Sequence, residues 1–291
     1  MKMFKITLAY DGTGFVGWQR QAAGVSVQGL LEDALRELDE RDVAVAGAGR
    51  TDAGVHALGQ VASFSLARVI APHALVRALN ARLPDQVRAL SAVEVPAGFH
   101  ARFGARTKMY RYRVWNAERL NPFERQYAWH VMGGLDVDQM DAAARLVEGR
   151  HDFAAFQAAG GATRTTEREV YSSRIVKEHT AGTEGNSHRA TEPQRTHNSS
   201  QWLSGSVADP LRVYSSGEVI TYEISGNGFL RHMVRAIVGT LVEIGRGRRG
   251  ADWMREVIAS RDRSHAGPTA PAEGLFLVGV DYDAPAPDAV L

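Results

Sequence analysis

Cysteine is absent, which excludes disulfides, thiolate nucleophiles and cysteine-ligated zinc or iron–sulfur centres, while leaving a histidine and carboxylate metal site open. No apolar run approaches the roughly 20 residues that span a bilayer. The opening MKMFKITLAYDG goes straight into strand alternation without the apolar core of a signal peptide. Both features predict a cytoplasmic protein with no membrane partner. Charge of either sign is also scarce in the sum: the formal net charge is +1, which is silent about nucleic acid until the charges are placed.

Placement is more informative. Between His100 and Gln126, Arg102, Arg106, Lys108, Arg111, Arg113, Arg119 and Arg125 outweigh Glu118 and Glu124, and they are interleaved with Phe103, Tyr110, Tyr112 and Trp115. Basic side chains alternating with aromatics suit phosphate contact plus base stacking. A solvated strand face with long side chains would look the same.

With 44% hydrophobic and 23% charged residues the composition is that of a folded globular protein. A length of 291 residues suits two domains or one large one. KMFKITLA reads as a strand, followed by a helix from Val27 to Leu38 capped by Ser26. A short strand at Val43 to Ala46, a strand at Gln60 to Leu66 and a helix opened by Pro72 come next, then strands near Val87 to Val95 and Lys108 to Trp115. The second half repeats the rhythm: a helix from Val137 to Glu148, strands at Glu169 to Lys177 and Glu218 to Ser225, a long helix from Gly228 to Ile244, a helix holding Trp253 and a closing strand LFLVGVDY. Strands that alternate, joined by helices in two similar sets, predict an α+β protein whose sheet is covered by helices on one face. The expected division falls between Asn116 and Leu135, giving halves of 1–120 and 121–291. From about Glu178 to Pro210 the chain turns polar and loses periodicity, which reads as a mobile insertion between two strands. Its histidines, His179, His188 and His197, follow no metal-ligand spacing.

Residues 46 to 60, AGAGRTDAGVHALGQ, are too rich in glycine for a comfortable helix or strand. They lack the Lys-Ser/Thr ending of a phosphate-binding P-loop and the dinucleotide fingerprint. Instead Arg50, Thr51 and Asp52 stand side by side, with His56 four residues on. A carboxylate beside a guanidinium is expected to stay ionised, and an ionised Asp52 serves as nucleophile, base or metal ligand. Asp52 and His56 would share a face of a helical turn, but no second acidic or histidine cluster lies nearby to complete a metal site. The plain reading is a turn capped by Asp52 with Arg50 as its partner. Gly47, Gly49 and Gly54 argue for more, because they permit close approach of another molecule.

GRTDAGVHA, YDGTGFVGWQRQ, FHARF at 99 to 103, TKMYRY at 107 to 112 and NGFLRHMVRAIVG at 227 to 239 together resemble the tRNA pseudouridine synthase A family, in the family's order and over nearly the whole chain. The resemblance implies two ferredoxin-like halves joined in one continuous antiparallel sheet with helices behind. It implies isomerisation of uridine to pseudouridine in the anticodon stem-loop of tRNA by a homodimer, without metal or organic cofactor. Carried over by position, Asp52 is the catalytic aspartate, Tyr110 the tyrosine beside the uracil ring and Arg235 the basic residue that pairs with the aspartate. Arg50 would help Arg235 to keep Asp52 ionised, and Arg231 and Arg235, four apart, would share one helix face. Asp11 and Arg20, in the amino-terminal motif with Gly12, Phe15, Trp18 and Gln19, are expected to contact RNA or shape the entrance. Thr51 belongs with the substrate-facing loop, and His56 supports it. Arg246, Arg248 and Arg249 suit phosphate contacts or a solvated helix end. Two rivals remain: a non-catalytic RNA-binding protein of ferredoxin-like fold, and a metal-assisted hydrolase using Asp52 and His56.

Overall fold

The computed structural model describes residues 1–160, 165–178 and 217–282. The segment from 179 to 216, with the three histidines of the expected insertion, lies outside the described residues.

Strand β1, Lys2–Tyr10, turns Phe4, Ile6, Leu8 and Tyr10 inward by simple alternation. Helix α1, Val27–Asp39, starts where the Ser26 hydroxyl accepts the Gly29 N–H at 3.1 Å and stops where Glu40 turns left-handed at φ 57°. It lays Leu31, Leu35 and Leu38 on the sheet. After β2, Ala46–Gly47, come β3, His56–Leu66, helix α2, Pro72–Asn80, and β4, Val87–Val95. The remaining elements are β5, Thr107–Asn116, β6, Trp129–Val131, α3, Val137–Arg145, β7, Gly149–Asp152, β8, Glu167–Glu178, and β9, Glu218–Gly226. They are followed by α4, Met233–Gly245, α5, Trp253–Ser260, and β10, Leu275–Asp281.

The ten strands of the described residues join one sheet in the order β4-β1-β3-β10-β5-β9-β8-β7, with β2 on β3 and β6 on β5. The pairing is antiparallel except between β3 and β10 and between β5 and β6. Taking β1, β2, β3 and β4 as one set and β5, β8, β9 and β10 as another, each runs in the spatial order fourth, first, third, second, which is the ferredoxin-like arrangement. The two sets fuse because β3 shares one flank: its start pairs with β10 at His56 and Ala57, its end with β2 at Ala62 and Ser63. β5 pairs with β9, β10 and β6. One continuous apolar core, including Phe4, Leu35, Phe64, Tyr112, Tyr222, Ile237 and Leu241, lies between the sheet and the helices.

Several boundaries move. The short strand expected at 43–46 is displaced to Ala46–Gly47, and β3 begins at His56, four residues before Gln60. Helix α3 ends at Arg145 and tightens into i to i+3 turns through Glu148. The largest correction concerns α4, which starts at Met233 and not at Gly228: His232 takes a left-handed conformation, φ 63°, that no α-helix interior accepts. Arg231 therefore precedes the helix and shares no helical face with Arg235.

Candidate active site

Asp52 sits in the turn between β2 and β3, and the turn is tied down at each step. The Thr51 carbonyl accepts the Trp18 N–H at 3.0 Å, and the Thr51 hydroxyl meets the Tyr10 hydroxyl at 2.8 Å. Gln60 Nε2 donates to the Gly49 carbonyl at 3.0 Å, and the Val55 N–H closes the turn on the Asp52 carbonyl at 3.2 Å. The amino-terminal motif braces the turn from outside: Gly17 has φ +107°, and a Cβ there would stand 2.5 Å from the Thr51 carbonyl oxygen. Only glycine permits both that angle and that approach.

The Asp52 carboxylate, 30% exposed, faces two nitrogen-bearing side chains from the other half of the sequence, the cationic Arg235 and the imidazole of His232. Its Oδ2 stands 3.4 Å from Arg235 Nη1 and 3.4 Å from His232 Nε2. Both distances exceed a good hydrogen bond, so the carboxylate is held mainly by charge and keeps lone pairs for another partner. Arg235 is the fixed member, since its Nε donates to the Ala270 carbonyl at 2.7 Å and its stem rises from α4. Gly239 lets that helix meet the 266–272 segment; a Cβ there would fall 1.7 Å from the Pro268 carbonyl oxygen.

Tyr110 is buried next to this pair, its ring edge-on to Phe229 at 5.1 Å. Burial pushes its phenol far above the ordinary tyrosine range, and the neighbouring Tyr10 and Asp52 push the same way, so it stays protonated at neutral pH. Tyr112, two residues on, spends its hydroxyl on the Pro271 carbonyl at 2.8 Å and is a core residue. Arg111 and Arg113 turn to the opposite face, where they pair with Glu223 at 2.7 Å and Glu124 at 2.9 Å.

The expected residues divide. Asp52, Arg235 and Tyr110 come together. Arg50 does not: it is exposed, and among the described residues no ion pair joins it to Asp52, because the turn sends neighbouring side chains in different directions. His232 takes its place beside the carboxylate. The sequence carried a weak signal for it, a histidine three residues before Arg235 in RHMVR, a spacing that would set both on one face of a helical turn. Burial holds the His232 imidazole below the usual histidine range; Asp52 pulls it up, but Arg235, Arg231 and Arg263 push it down.

His56 lies under the amino-terminal loop. Its Nδ1 accepts the Gly12 N–H at 2.9 Å, and Nε2 stands 2.8 Å from the Gln126 carbonyl and 3.1 Å from the Glu273 carbonyl. That pattern requires the neutral ring protonated on Nε2. The 3.1 Å approach of Nδ1 to Asp11 is therefore no ion pair, its one lone pair being taken. Burial depresses the His56 pKa, in agreement. With both nitrogens engaged by backbone, His56 has none left for a metal shared with Asp52. Asp11 accepts from the Tyr127 hydroxyl at 2.8 Å and the Thr13 N–H at 2.9 Å. Burial alone would raise its carboxyl, but these hydrogen bonds leave it below the usual range. Arg20 is tied to α1 through Glu32 at 2.7 Å, Asp33 at 3.0 Å and the Gly29 carbonyl at 2.8 Å. Among the described residues Arg231 Nη1 donates to the Ala159 carbonyl at 3.5 Å and makes no ion pair with Asp52. Arg246 and Arg248 pair with Glu243, and Arg249 covers the Trp253 ring.

Residues 6–104 and 143–283 match the sequence model of a family described as tRNA pseudouridine synthase. A tRNA pseudouridine synthase A of Myxococcus xanthus is 43% identical over 282 residues, 97% of this chain and 92% of that protein. One of Moorella thermoacetica is 41% identical over 97% of this chain and all of its own length. One of Geotalea uraniireducens is 37% identical over the same share of this chain and all of its own length. The chain belongs to the tRNA pseudouridine synthase A family.

Proposed function

We propose that this protein isomerises uridine to pseudouridine in the anticodon stem-loop of tRNA, with Asp52 as the catalytic carboxylate. The observation that carries the reading is the convergence of Asp52 with Arg235 and His232, 3.4 Å from each, beside the buried phenol of Tyr110. The reaction breaks the bond between uracil N1 and ribose C1′, turns the base, joins C5 to C1′, releases the C5 proton and takes up a proton at N1. It needs a carboxylate with free lone pairs, which the loose contacts of Asp52 leave. Arg235, rigid on α4, keeps negative charge favourable in a cleft partly closed to water. Tyr110, neutral and fixed by its strand, offers a ring edge and hydroxyl to a uracil taken out of its stack. Thr51 and His56 hold the turn and the loop above it; Asp11 and Arg20 shape the entrance through which RNA passes.

Family membership supports action in the cytoplasm as a homodimer without metal or organic cofactor. Among the described residues no helix is long and apolar enough to cross a membrane. Strand order supports dividing the halves in the link from 96 to 106, before β5, rather than near residue 120. The test is incubation of unmodified tRNA with the protein, with and without chelator, followed by mapping of pseudouridine along the RNA. Pseudouridine confined to the anticodon stem-loop and indifferent to chelator is expected. RNA binding without product would leave the non-catalytic RNA-binding reading in its place.

A further inference from the structure

Lys108 lies on β5 two residues before Tyr110 and on the same side of the strand. Its cross-strand partner on β9 is Gly226, which has no side chain to share the space. The ammonium turns toward the catalytic turn: its Nζ lies 3.5 Å from where a Cβ would stand on Gly49. Among the described residues no carboxylate pairs with it. The charges that reach it are Arg102, from the link after β4, and Arg168, on β8; burial first and these two cations second push Lys108 down to about 8.

Neither arginine is neutralised by a carboxylate among the described residues. Arg168 Nη1 donates to the backbone carbonyls of Thr165 and Glu167 at 2.9 and 2.6 Å, and its Nε lies 3.8 Å from the Cβ position of Gly228, at the head of the segment that carries His232 and Arg235. Arg102 lies over the ring of Phe103, which is 79% exposed. Arg111 and Arg113, by contrast, have carboxylate partners on the other face. Like charges gathered where solvent is partly excluded raise one another's cost, and an anion placed among them removes it.

We propose that Lys108, Arg102 and Arg168 form a notch beside the Asp52 turn that binds a backbone phosphate of the RNA next to the reacting nucleotide, and that Lys108 is a positioning residue for the isomerisation. The inference rests on the assignment of the Asp52 turn as the reacting centre. A phosphate seated there fixes the ribose of the reacting nucleotide against the turn, while Phe103 presents a face on which a neighbouring base stacks.

The test measures tRNA affinity across a salt series, together with kcat and KM, for wild type, Lys108→Gln, Lys108→Arg, Arg102→Gln and Asp52→Asn. Each phosphate contact contributes about 0.7 to 0.9 to the slope of log affinity against log salt. Lys108→Gln is expected to lower the slope by about 1 and raise KM by roughly five- to tenfold, with the loss falling on KM rather than kcat, and Lys108→Arg to restore the slope. Should Lys108→Gln fail to fold, Arg102→Gln, at an exposed position, is expected to lower the slope in the same way. A wild-type slope in the glutamine variants, or a loss confined to kcat, would overturn the phosphate notch. Full turnover by Asp52→Asn would instead overturn the site assignment, whatever the slopes.

Discussion

At the scale of single residues the site depends on two side chains that meet one carboxylate oxygen without closing on it. Arg235 holds its place through Nε on the Ala270 carbonyl and reaches Asp52 through Nη1. Lysine keeps the charge but loses the fork that makes both contacts. Arg235→Lys is therefore expected to fold normally and lose roughly a hundredfold in kcat/KM, the scale of a misplaced catalytic group, as steady-state kinetics on tRNA would show. His232 gives a pH signature. Its folded pKa is depressed below the unfolded value by burial, so the stability it contributes is present above its unfolded pKa, about 6.5, and is lost as pH falls through the folded pKa. Thermal melts at pH 7.5 and 5.5 are expected to show a larger acid loss in wild type than in His232→Gln; equal losses would contradict it. Asp52, Tyr110 and Arg235 were singled out in the sequence by the family resemblance of the motifs that hold them, not by spacing, and the fold sets them near one another. The placing of Arg50 and His232 was not legible, because adjacency in sequence does not say which way a turn sends its side chains.

At the scale of elements, α4 decides the geometry, and its beginning was the least legible boundary. The apolar spacing of NGFLRHMVRAIVG continues through the residues before Met233 because Leu230 is buried and Phe229 packs against the core, so periodicity alone extends the helix across His232. The left-handed turn at His232 is what aims both His232 and Arg235 at Asp52. The short strands β6 and β7 were also missed, since runs of 3 and 4 residues give too little alternation to read. The close contact at Gly239 makes a further prediction: Gly239→Ala puts a methyl against the Pro268 carbonyl and forces α4 away from the segment that holds Arg235. It is expected to cost about 1 to 3 kcal/mol by overpacking and to lower kcat as well, both measurable by denaturant melts and turnover. A purely structural contact would lower stability and leave kcat unchanged.

At the scale of the whole molecule, two ferredoxin-like sets share one sheet because the last strand, β10, is laid between β3 and β5. The repeated rhythm of strands and helices made two halves legible, but not their seam. β5 follows β4 in sequence and reads as its continuation, whereas its ladders run to β9 and β10. The seam matters for function, because Asp52 comes from the first set while Tyr110, His232 and Arg235 come from the second. Removing residues from 275 onward would strip β10 from both neighbours and leave the edges of β3 and β5 open, so the truncated chain is expected to aggregate rather than fold, as size-exclusion chromatography would show. The measurement that tests the central claim most directly is tritium release from tRNA labelled at uracil C5, by wild type and by Asp52→Asn, with RNA affinity measured alongside. Release by wild type alone, with affinity retained in the variant, is the predicted result; release by both, or by neither, would contradict Asp52 as the residue that carries the reaction.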